Sequence, residues 1–109
     1  VVECVTRDAG IPLETLRVDG GACRNDFLMQ FQADVLGTPV SRPEVLEVTA
    51  LGAASLAGLG TGFWRSRDDL EAATCGGTTF EPAMSQDRRD ALYAGWKRAV
   101  ERAREWEPA

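Results

Sequence analysis

The 109-residue sequence contains no histidine, and its three cysteines include no Cys-x-x-Cys pair. Without histidine no Ser–His or Cys–His nucleophile pair can form, so a hydrolase triad is excluded. A zinc site would need all three thiols, Cys4, Cys23 and Cys75, together with a carboxylate or water, and we therefore expect no metal site. An odd number of cysteines, present as free thiols, is typical of a reducing compartment, which predicts a cytoplasmic protein.

Basic charge and long apolar runs are also scarce. The chain has 12 Lys and Arg against 17 Asp and Glu, which gives a formal net charge of −5. Because binding to a nucleic-acid backbone needs a basic face, we expect no nucleic-acid partner. The longest apolar stretch, residues 50–59, falls short of the roughly 20 residues that a membrane helix needs. The sequence also begins without a basic-then-apolar leader. We therefore expect neither membrane insertion nor secretion.

The remaining composition is that of a globular protein, with 44% hydrophobic residues. The spacing of apolar residues, together with the positions of capping residues, glycines and prolines, predicts five helices and only two or three short strands. The predicted helices span residues 1–8, 26–36, 49–59, 67–73 and 85–106. The predicted strands span residues 15–18 and 39–41, with 78–80 as the third. Asn25, Thr49 and Ser66 are the expected N-caps, and Gly37 is expected to end the second helix.

So small a sheet predicts that the chain is one segment, residues 1–109, of a larger α/β protein. Val1 also begins inside a predicted helix, whose natural start would lie upstream. Pro39 and Pro43 flank the second strand and limit its pairing, so we expect this strand at an edge of the sheet. An exposed sheet edge favours pairing between copies, and we therefore expect self-association into a homo-oligomer.

The last predicted helix carries a continuous apolar stripe. Its members follow helical spacing and are Leu92, Trp96, Ala99, Ala103 and Trp106. Core packing is the favoured interpretation of this stripe. The alternative is a partner-binding surface, in which the two large tryptophans act as anchors.

Residues 15–30, TLRVDGGACRNDFLMQ, carry most of the chemical information. A strand that ends at Gly20 and Gly21, before a helix that opens at Asn25, brings bare backbone and helix N–H groups to one point. That geometry suits an anion or a nucleotide. The glycine spacing fits neither the dinucleotide fingerprint nor a Walker A loop, because no Gly-Lys-Ser/Thr follows. A purely structural turn, in which the glycines only allow positive φ, remains the other interpretation.

Two polar residues beside these glycines each have two candidate roles. Asn25 can cap the following helix through its side-chain oxygen, or it can present its amide to a purine edge. The two roles compete if the same oxygen must serve both. Asp19 lies at a strand end, where catalytic acids are often found, but bracing of the adjacent turn is the favoured role.

Residues 17–64 have the sequence RVDGGACRNDFLMQFQADVLGTPVSRPEVLEVTALGAASLAGLGTGFW. This segment closely resembles the C-terminal part of glycerol kinases, within the FGGY family of carbohydrate kinases. Residues 93–106, YAGWKRAVERAREW, are similar to the closing helix of the same proteins. Related pentulose kinases share the Gly-Gly turn and the Ala-Leu-Gly-Ala-Ala helix, but less often the surrounding residues. The resemblance covers nearly the whole chain and is weakest over residues 72–89.

The resemblance implies an α/β fold that is part of an actin/Hsp70-like (RNase H-like) ATPase domain, here helix-rich with two or three short strands. The segment would belong to the C-terminal, nucleotide-binding domain. The turn matching Gly20, Gly21 and Ala22 would contact the adenosine end of ATP, and Asn25 would lie beside the adenine.

The resemblance also assigns the other parts of the kinase to residues upstream of Val1. These parts are the catalytic aspartate, the phosphate-binding loops and the glycerol site, so we expect no catalytic residue here. The whole enzyme would transfer the γ-phosphoryl group of ATP to glycerol with Mg²⁺, releasing ADP. The segment alone is expected to be inactive and to bind ATP weakly or not at all. A non-catalytic interaction module on an FGGY-like scaffold and a fragment of another FGGY sugar or polyol kinase are the alternatives.

Overall fold

The computed structural model describes residues 2–104, which form five α-helices, three strands and one 3-10 turn. The helices are α1 Val2–Ala9, α2 Asp26–Leu36, α3 Val48–Gly60, α4 Arg67–Thr74 and α5 Gln86–Ala103. The strands are β1 Leu16–Arg17, β2 Val40–Pro43 and β3 Gly77–Phe80, and the 3-10 turn is Gly21–Arg24. The predicted helix-rich architecture with three short strands is therefore confirmed.

The three strands form one mixed sheet in the order β1-β2-β3. β1 runs parallel to β2, and β2 runs antiparallel to β3. The prediction that the second strand lies at an edge is therefore wrong, because β2 is central. Its prolines lie where they do not interrupt the pairing. Pro39 precedes the strand and accepts a 2.9 Å hydrogen bond from the Leu16 N–H, and Pro43 is the last residue, opposite Gly77.

Most helix ends follow from single residues. The Asn25 side-chain oxygen accepts a hydrogen bond from Leu28 N at 3.1 Å. Ser66 accepts in the same way from Asp69 N, also at 3.1 Å, so both predicted N-caps are confirmed. Gly37 ends α2 in the left-handed conformation, with φ 66°.

The predicted N-cap at Thr49 is wrong. The Glu47 carbonyl already accepts a hydrogen bond from Leu51 N at 3.0 Å, so the helical ladder begins earlier and Thr49 lies inside the first turn of α3.

The core lies between the sheet and α2. Cys23, Met29, Ala33 and Val40 are its buried members, and Leu16, Val18, Leu46 and Phe80 pack around them. Helix α2 thus buries its Met29 side.

The opposite side of α2 carries a stacked aromatic pair. Phe27 and Phe31 have ring centroids 6.2 Å apart and are 78% and 41% exposed. The apolar residues that recur at helical spacing along α2 are not its most buried ones, which are Met29 and Ala33. The recurring residues are Phe27, Leu28, Phe31, Val35 and Leu36. Both sides of α2 are apolar, so periodicity could not tell them apart.

Helix α5 packs through a polar side. The Arg89 guanidinium lies over Gly37, and the Tyr93 hydroxyl donates a hydrogen bond to the Glu3 carboxylate. The predicted apolar stripe therefore lies away from this contact, with Leu92 40% exposed and Trp96 64% exposed. Core packing, the favoured interpretation, is wrong for Trp96 among residues 2–104. Trp106, the other predicted anchor, lies outside the described residues.

The C-terminal end of α3 is covered by one aromatic ring. A Cβ at Gly58 would lie 2.5 Å from Trp64 Cδ1, so the indole packs directly against this glycine. Phe63 is 76% exposed, and its ring meets that of Trp64 in a T-shaped pair with centroids 4.9 Å apart. The GFW sequence after α3 predicts that Phe63 and Trp64 both pack back over the end of this helix, which is confirmed for Trp64 and wrong for Phe63. Among the helices of residues 2–104, none has both the length and the apolar character that crossing a membrane would take.

Candidate functional site

The candidate site is the glycine turn, defined here as residues 20–25, which joins β1 to α2. Hydrogen bonds fix it at its start, where Gly20 N donates to Leu46 O at 3.1 Å. Within the turn, Cys23 N donates to Gly20 O and Asn25 N donates to Ala22 O, both at 3.2 Å. The main chain of the turn is therefore tied to the loop after β2 and closed upon itself.

Cys23 determines which side of the turn faces outward. Its side chain is 4% exposed, and its thiol donates a hydrogen bond to Asp19 O at 2.8 Å. With Cys23 directed into the core, Gly21, Ala22 and Asn25 are left exposed and Gly20 half-buried. The structure thus brings the four predicted binding residues together on one outward surface.

The two glycines of the turn are glycines for different reasons. Gly20 has φ 83° and ψ 176°, a conformation that side-chain-bearing residues rarely adopt. Gly21 begins the 3-10 turn and does not have positive φ. A Cβ built on Gly21 meets no heavy atom of the described chain within 4 Å. Neither backbone strain nor crowding within residues 2–104 therefore requires glycine at this position.

Asn25 serves as the N-cap of α2, as its bond to Leu28 N establishes. The side-chain oxygen of Asn25 therefore already serves the capping role, because one lone pair of Oδ1 accepts the bond from Leu28 N. Its amide nitrogen donates to no group within the described part of the chain. Asn25 can consequently cap the helix with its oxygen and still donate a hydrogen bond outward with its NH₂ group.

Asp19 braces the turn through its main chain, since its carbonyl accepts the Cys23 thiol. Its side chain is exposed and lines a cavity of about 740 Å³ together with Arg17 and Glu71. The bracing role favoured from the sequence is thus present, carried by the carbonyl oxygen.

A larger cavity lies elsewhere. It measures about 840 Å³ and is lined by α1, the C-terminal end of α2 and α5, with Glu3, Leu36 and Tyr93 among its walls. None of the four predicted binding residues lines it. The candidate site is therefore an exposed turn and not this cavity.

Arg42, on β2, contacts the glycine turn and was not among the residues predicted from the sequence. Its Nη1 donates to Cys23 O at 2.6 Å and to Asp26 Oδ1 at 2.7 Å. The available signal was an arginine directly after a predicted strand, since a cation that becomes largely buried needs hydrogen-bonding partners.

Comparison with known proteins identifies the family. Residues 1–61 match the model of the FGGY family of carbohydrate kinases, C-terminal domain. The chain belongs to this family. It is 58% identical over 106 residues to the glycerol kinase of Caldanaerobacter subterraneus subsp. tengcongensis, covering 97% of the chain and 21% of that protein. The glycerol kinase of Nitratidesulfovibrio vulgaris is likewise 58% identical, with the same coverage. The chain thus spans about a fifth of the length of the curated relatives it matches.

A solved structure agrees with this family assignment. The crystal structure of Plasmodium falciparum glycerol kinase with ADP superimposes with a TM-score of 0.80 and 38% sequence identity, covering 93% of this chain and 20% of that one. The predicted fold, part of an actin/Hsp70-like α/β ATPase domain, is confirmed, as is the resemblance to glycerol kinases. The ligand contacts of Gly20, Gly21, Ala22 and Asn25 remain predictions.

Proposed function

We propose that the chain is the C-terminal portion of an ATP-dependent glycerol kinase, which converts ATP and glycerol into ADP and glycerol 3-phosphate. Residues 1–109 would form one segment of its C-terminal, nucleotide-binding domain. The identity of 58% to glycerol kinases over 97% of the chain supports this assignment. The same figures favour it over a kinase of another sugar or polyol and over a non-catalytic interaction module.

The open space above the main chain of Gly21 is the observation on which the binding proposal rests. Nothing within the described chain requires glycine there, and the space above its main chain is open. A ligand lying against the backbone supplies the missing reason, because a Cβ would then occupy the ligand's volume. We assign that ligand as the adenosine end of ATP.

The other residues of the turn have supporting roles in this proposal. Gly20 turns the chain with its positive φ. Ala22 adds only a methyl group to the exposed surface of the turn. Asn25 donates from its amide nitrogen to an acceptor on the purine, while its oxygen caps α2. Together these residues form part of the adenosine subsite.

Phosphoryl transfer needs groups that this segment does not supply. We assign the catalytic base, the phosphate contacts and the glycerol site to the rest of the parent enzyme, and Mg²⁺ to the ATP phosphates, whose charge it balances. No residue of the segment is proposed as a metal ligand or as a catalytic group. Kinase turnover by the 109-residue chain alone is therefore not expected, because positioning and charge stabilisation also require the rest of the parent enzyme.

The cellular setting and the assembly state are also proposed. Free thiols at Cys4, Cys23 and Cys75 support a cytoplasmic location. A homo-oligomer is supported by the outer sides of β1 and β3, which pair with no other strand among residues 2–104. Light scattering tests the second point, and a clean monomer would count against it.

The binding proposal is tested by Gly21→Ala in the full-length kinase that carries this segment. We expect the KM for ATP to rise about tenfold or more, because the added methyl displaces the nucleoside, and the KM for glycerol to stay the same. Gly52→Ala is the matched control, since Gly52 is also free of positive φ and open at its Cβ position but lies on α3. A Gly21→Ala enzyme with the wild-type KM for ATP would overturn the assignment of this turn.

A further inference from the structure

We propose that Arg42 is a positioning residue for nucleotide binding, which holds the glycine turn in the conformation that receives adenosine. The inference rests on the function proposed above, because Arg42 acts through the turn and does not touch the nucleotide itself. It adds to that function a residue outside the turn, on the central strand of the sheet.

The Arg42 side chain is fixed on three sides. Its Nη1 donates to Cys23 O at 2.6 Å and to Asp26 Oδ1 at 2.7 Å. Its Cζ atom lies 5.1 Å from the centroid of the Phe80 ring. Only 17% of the side chain is exposed, whereas the Asp26 side chain is 74% exposed. A guanidinium so enclosed has little freedom to choose other partners, so its acceptors are held in place as well.

The two acceptors of Arg42 lie within the second half of the glycine turn and directly after it. Cys23 lies midway between Gly21 and Asn25, so a bond to its carbonyl fixes the backbone on which both depend. Asp26 is the first residue of α2 and follows the capping Asn25 directly. Gly20 N, bonded to Leu46 O, and the Cys23 thiol, bonded to Asp19 O, tie the turn at other points, and neither engages the Cys23 carbonyl or Asp26.

Arg42 lies on the central strand of the sheet, so its backbone is held by hydrogen-bonded strands on both sides. Arg42 pairs with Thr78 of β3, and the neighbouring Ser41 pairs with Arg17 of β1. The turn is thus tied to a strand that is paired on both sides. A turn ordered before ligand binding loses less conformational freedom when the nucleotide arrives, so the tie favours affinity for ATP and leaves the glycerol site unaffected.

The test uses the full-length kinase with Arg42→Met, which keeps the length of the side chain but removes its charge and its hydrogen bonds. We expect the KM for ATP and the dissociation constant of ADP each to rise about tenfold, as for the loss of a hydrogen bond to a charged group. The KM for glycerol and kcat at saturating ATP should stay within about twofold, because binding and not chemistry is affected. A merely structural role would lower the active fraction and hence kcat, with both KM values unchanged.

Two further variants complete the design. Arg42→Lys keeps the charge but lacks the planar group that lies over Phe80, so its KM for ATP should fall between those of the wild type and Arg42→Met. If Arg42→Met fails to fold, the KM for ATP of Arg42→Lys decides the test. Arg88→Met removes an exposed arginine from α5 and is the matched control, expected to behave as wild type.

The outcomes separate this inference from the one on which it rests. If Gly21→Ala raises the KM for ATP and the Arg42 variants do not, the adenosine subsite stands and the role of Arg42 is overturned. If neither substitution changes the KM for ATP, both proposals fall. If both raise it and Arg42→Lys is intermediate, Arg42 positions the turn.

Discussion

The carboxylate of Asp34, on α2, accepts a 2.6 Å hydrogen bond from the main-chain N–H of Ala83. The same oxygen also accepts bonds from Met84 N and from Gln30 Nε2, both at 3.1 Å. One carboxylate thus fastens the loop before α5 to the helix that follows the glycine turn. The bond from Ala83, supported by those from Gln30 and Met84, lowers the pKa of Asp34 from its ordinary value of 3.8 despite opposing desolvation.

This lowered pKa predicts an acid-dependent loss of stability. A carboxyl whose pKa is lower in the folded state stabilises the fold above its unfolded pKa, and the contribution is lost as pH falls through the folded value. We therefore expect the melting temperature of the chain to drop as pH falls below 3.8. Asp34→Asn should melt at a lower temperature near neutral pH and show a shallower drop in this acidic range. Circular dichroism melts measure both effects.

The control for this prediction is Glu14→Gln, which removes an exposed carboxylate from the loop between α1 and β1. Its melting curve should follow that of the wild type at every pH. An Asp34→Asn chain with the full wild-type dependence on pH would contradict the role assigned to Asp34.

The chain contains a single tyrosine, so its titration can be followed without interference from others. Tyr93 on α5 donates a hydrogen bond to Glu3 on α1, and this bond raises the pKa of Tyr93 above 10.0, with desolvation and the Glu3 charge adding to the shift. The contribution to stability is therefore present below pH 10.0 and is lost as pH rises through the folded value. Ultraviolet absorbance should show phenolate formation above pH 10.0 in the folded chain.

Glu3→Gln provides the comparison for the Tyr93 titration. It removes the negative charge and weakens the acceptor, so the midpoint should move back toward 10.0. Equal midpoints in the two chains would mean that α1 and α5 are not joined by this bond in solution.

The two roles of Asn25 can be separated by substitution in the full-length kinase. Asn25→Ala removes both the cap and the amide donor, so it should cost about 1 kcal/mol of stability and raise the KM for ATP. Asn25→Asp retains a good cap but has no N–H to donate, so stability should be kept while the KM for ATP still rises. Thermal melts and steady-state kinetics at saturating glycerol measure the two effects independently. If Asn25→Asp keeps the wild-type KM for ATP, Asn25 only caps α2.

Local sequence signals predicted the parts of the fold that depend on neighbouring residues. The caps at Asn25 and Ser66 and the end of α2 at Gly37 each arise within one helical turn, so nearby residues were enough to predict them. The same signal failed at Thr49, because the helical ladder of α3 already begins at Glu47. The outward cluster at Gly20 and Gly21 was predictable for the same reason, since a strand, two glycines and a helix start are contiguous.

Non-local choices were not predictable from local patterns. The place of β2 at the centre of the sheet depends on β3, whose first residue lies more than thirty positions further along the chain. Helix α2 is apolar on two sides, and only the tertiary contact selects Met29 over Phe27. Arg42 was missed because its significance comes from Cys23 and Asp26, which the folded chain brings to it.

The different environments of two tryptophans give a last prediction. The Trp64 ring packs against Gly58, and the main-chain N–H of Trp64 donates to Gly58 O at 3.1 Å, whereas Trp96 is 64% exposed on α5. Trp64→Ala should therefore destabilise the chain by about 2 kcal/mol or more, while Trp96→Ala should cost less than about 1 kcal/mol. Denaturant unfolding followed by circular dichroism at several protein concentrations measures both. A cost of about 3 kcal/mol or more for Trp96→Ala would mean that its ring is buried in solution. If that cost grew with protein concentration, the burying surface would be a second copy of the chain.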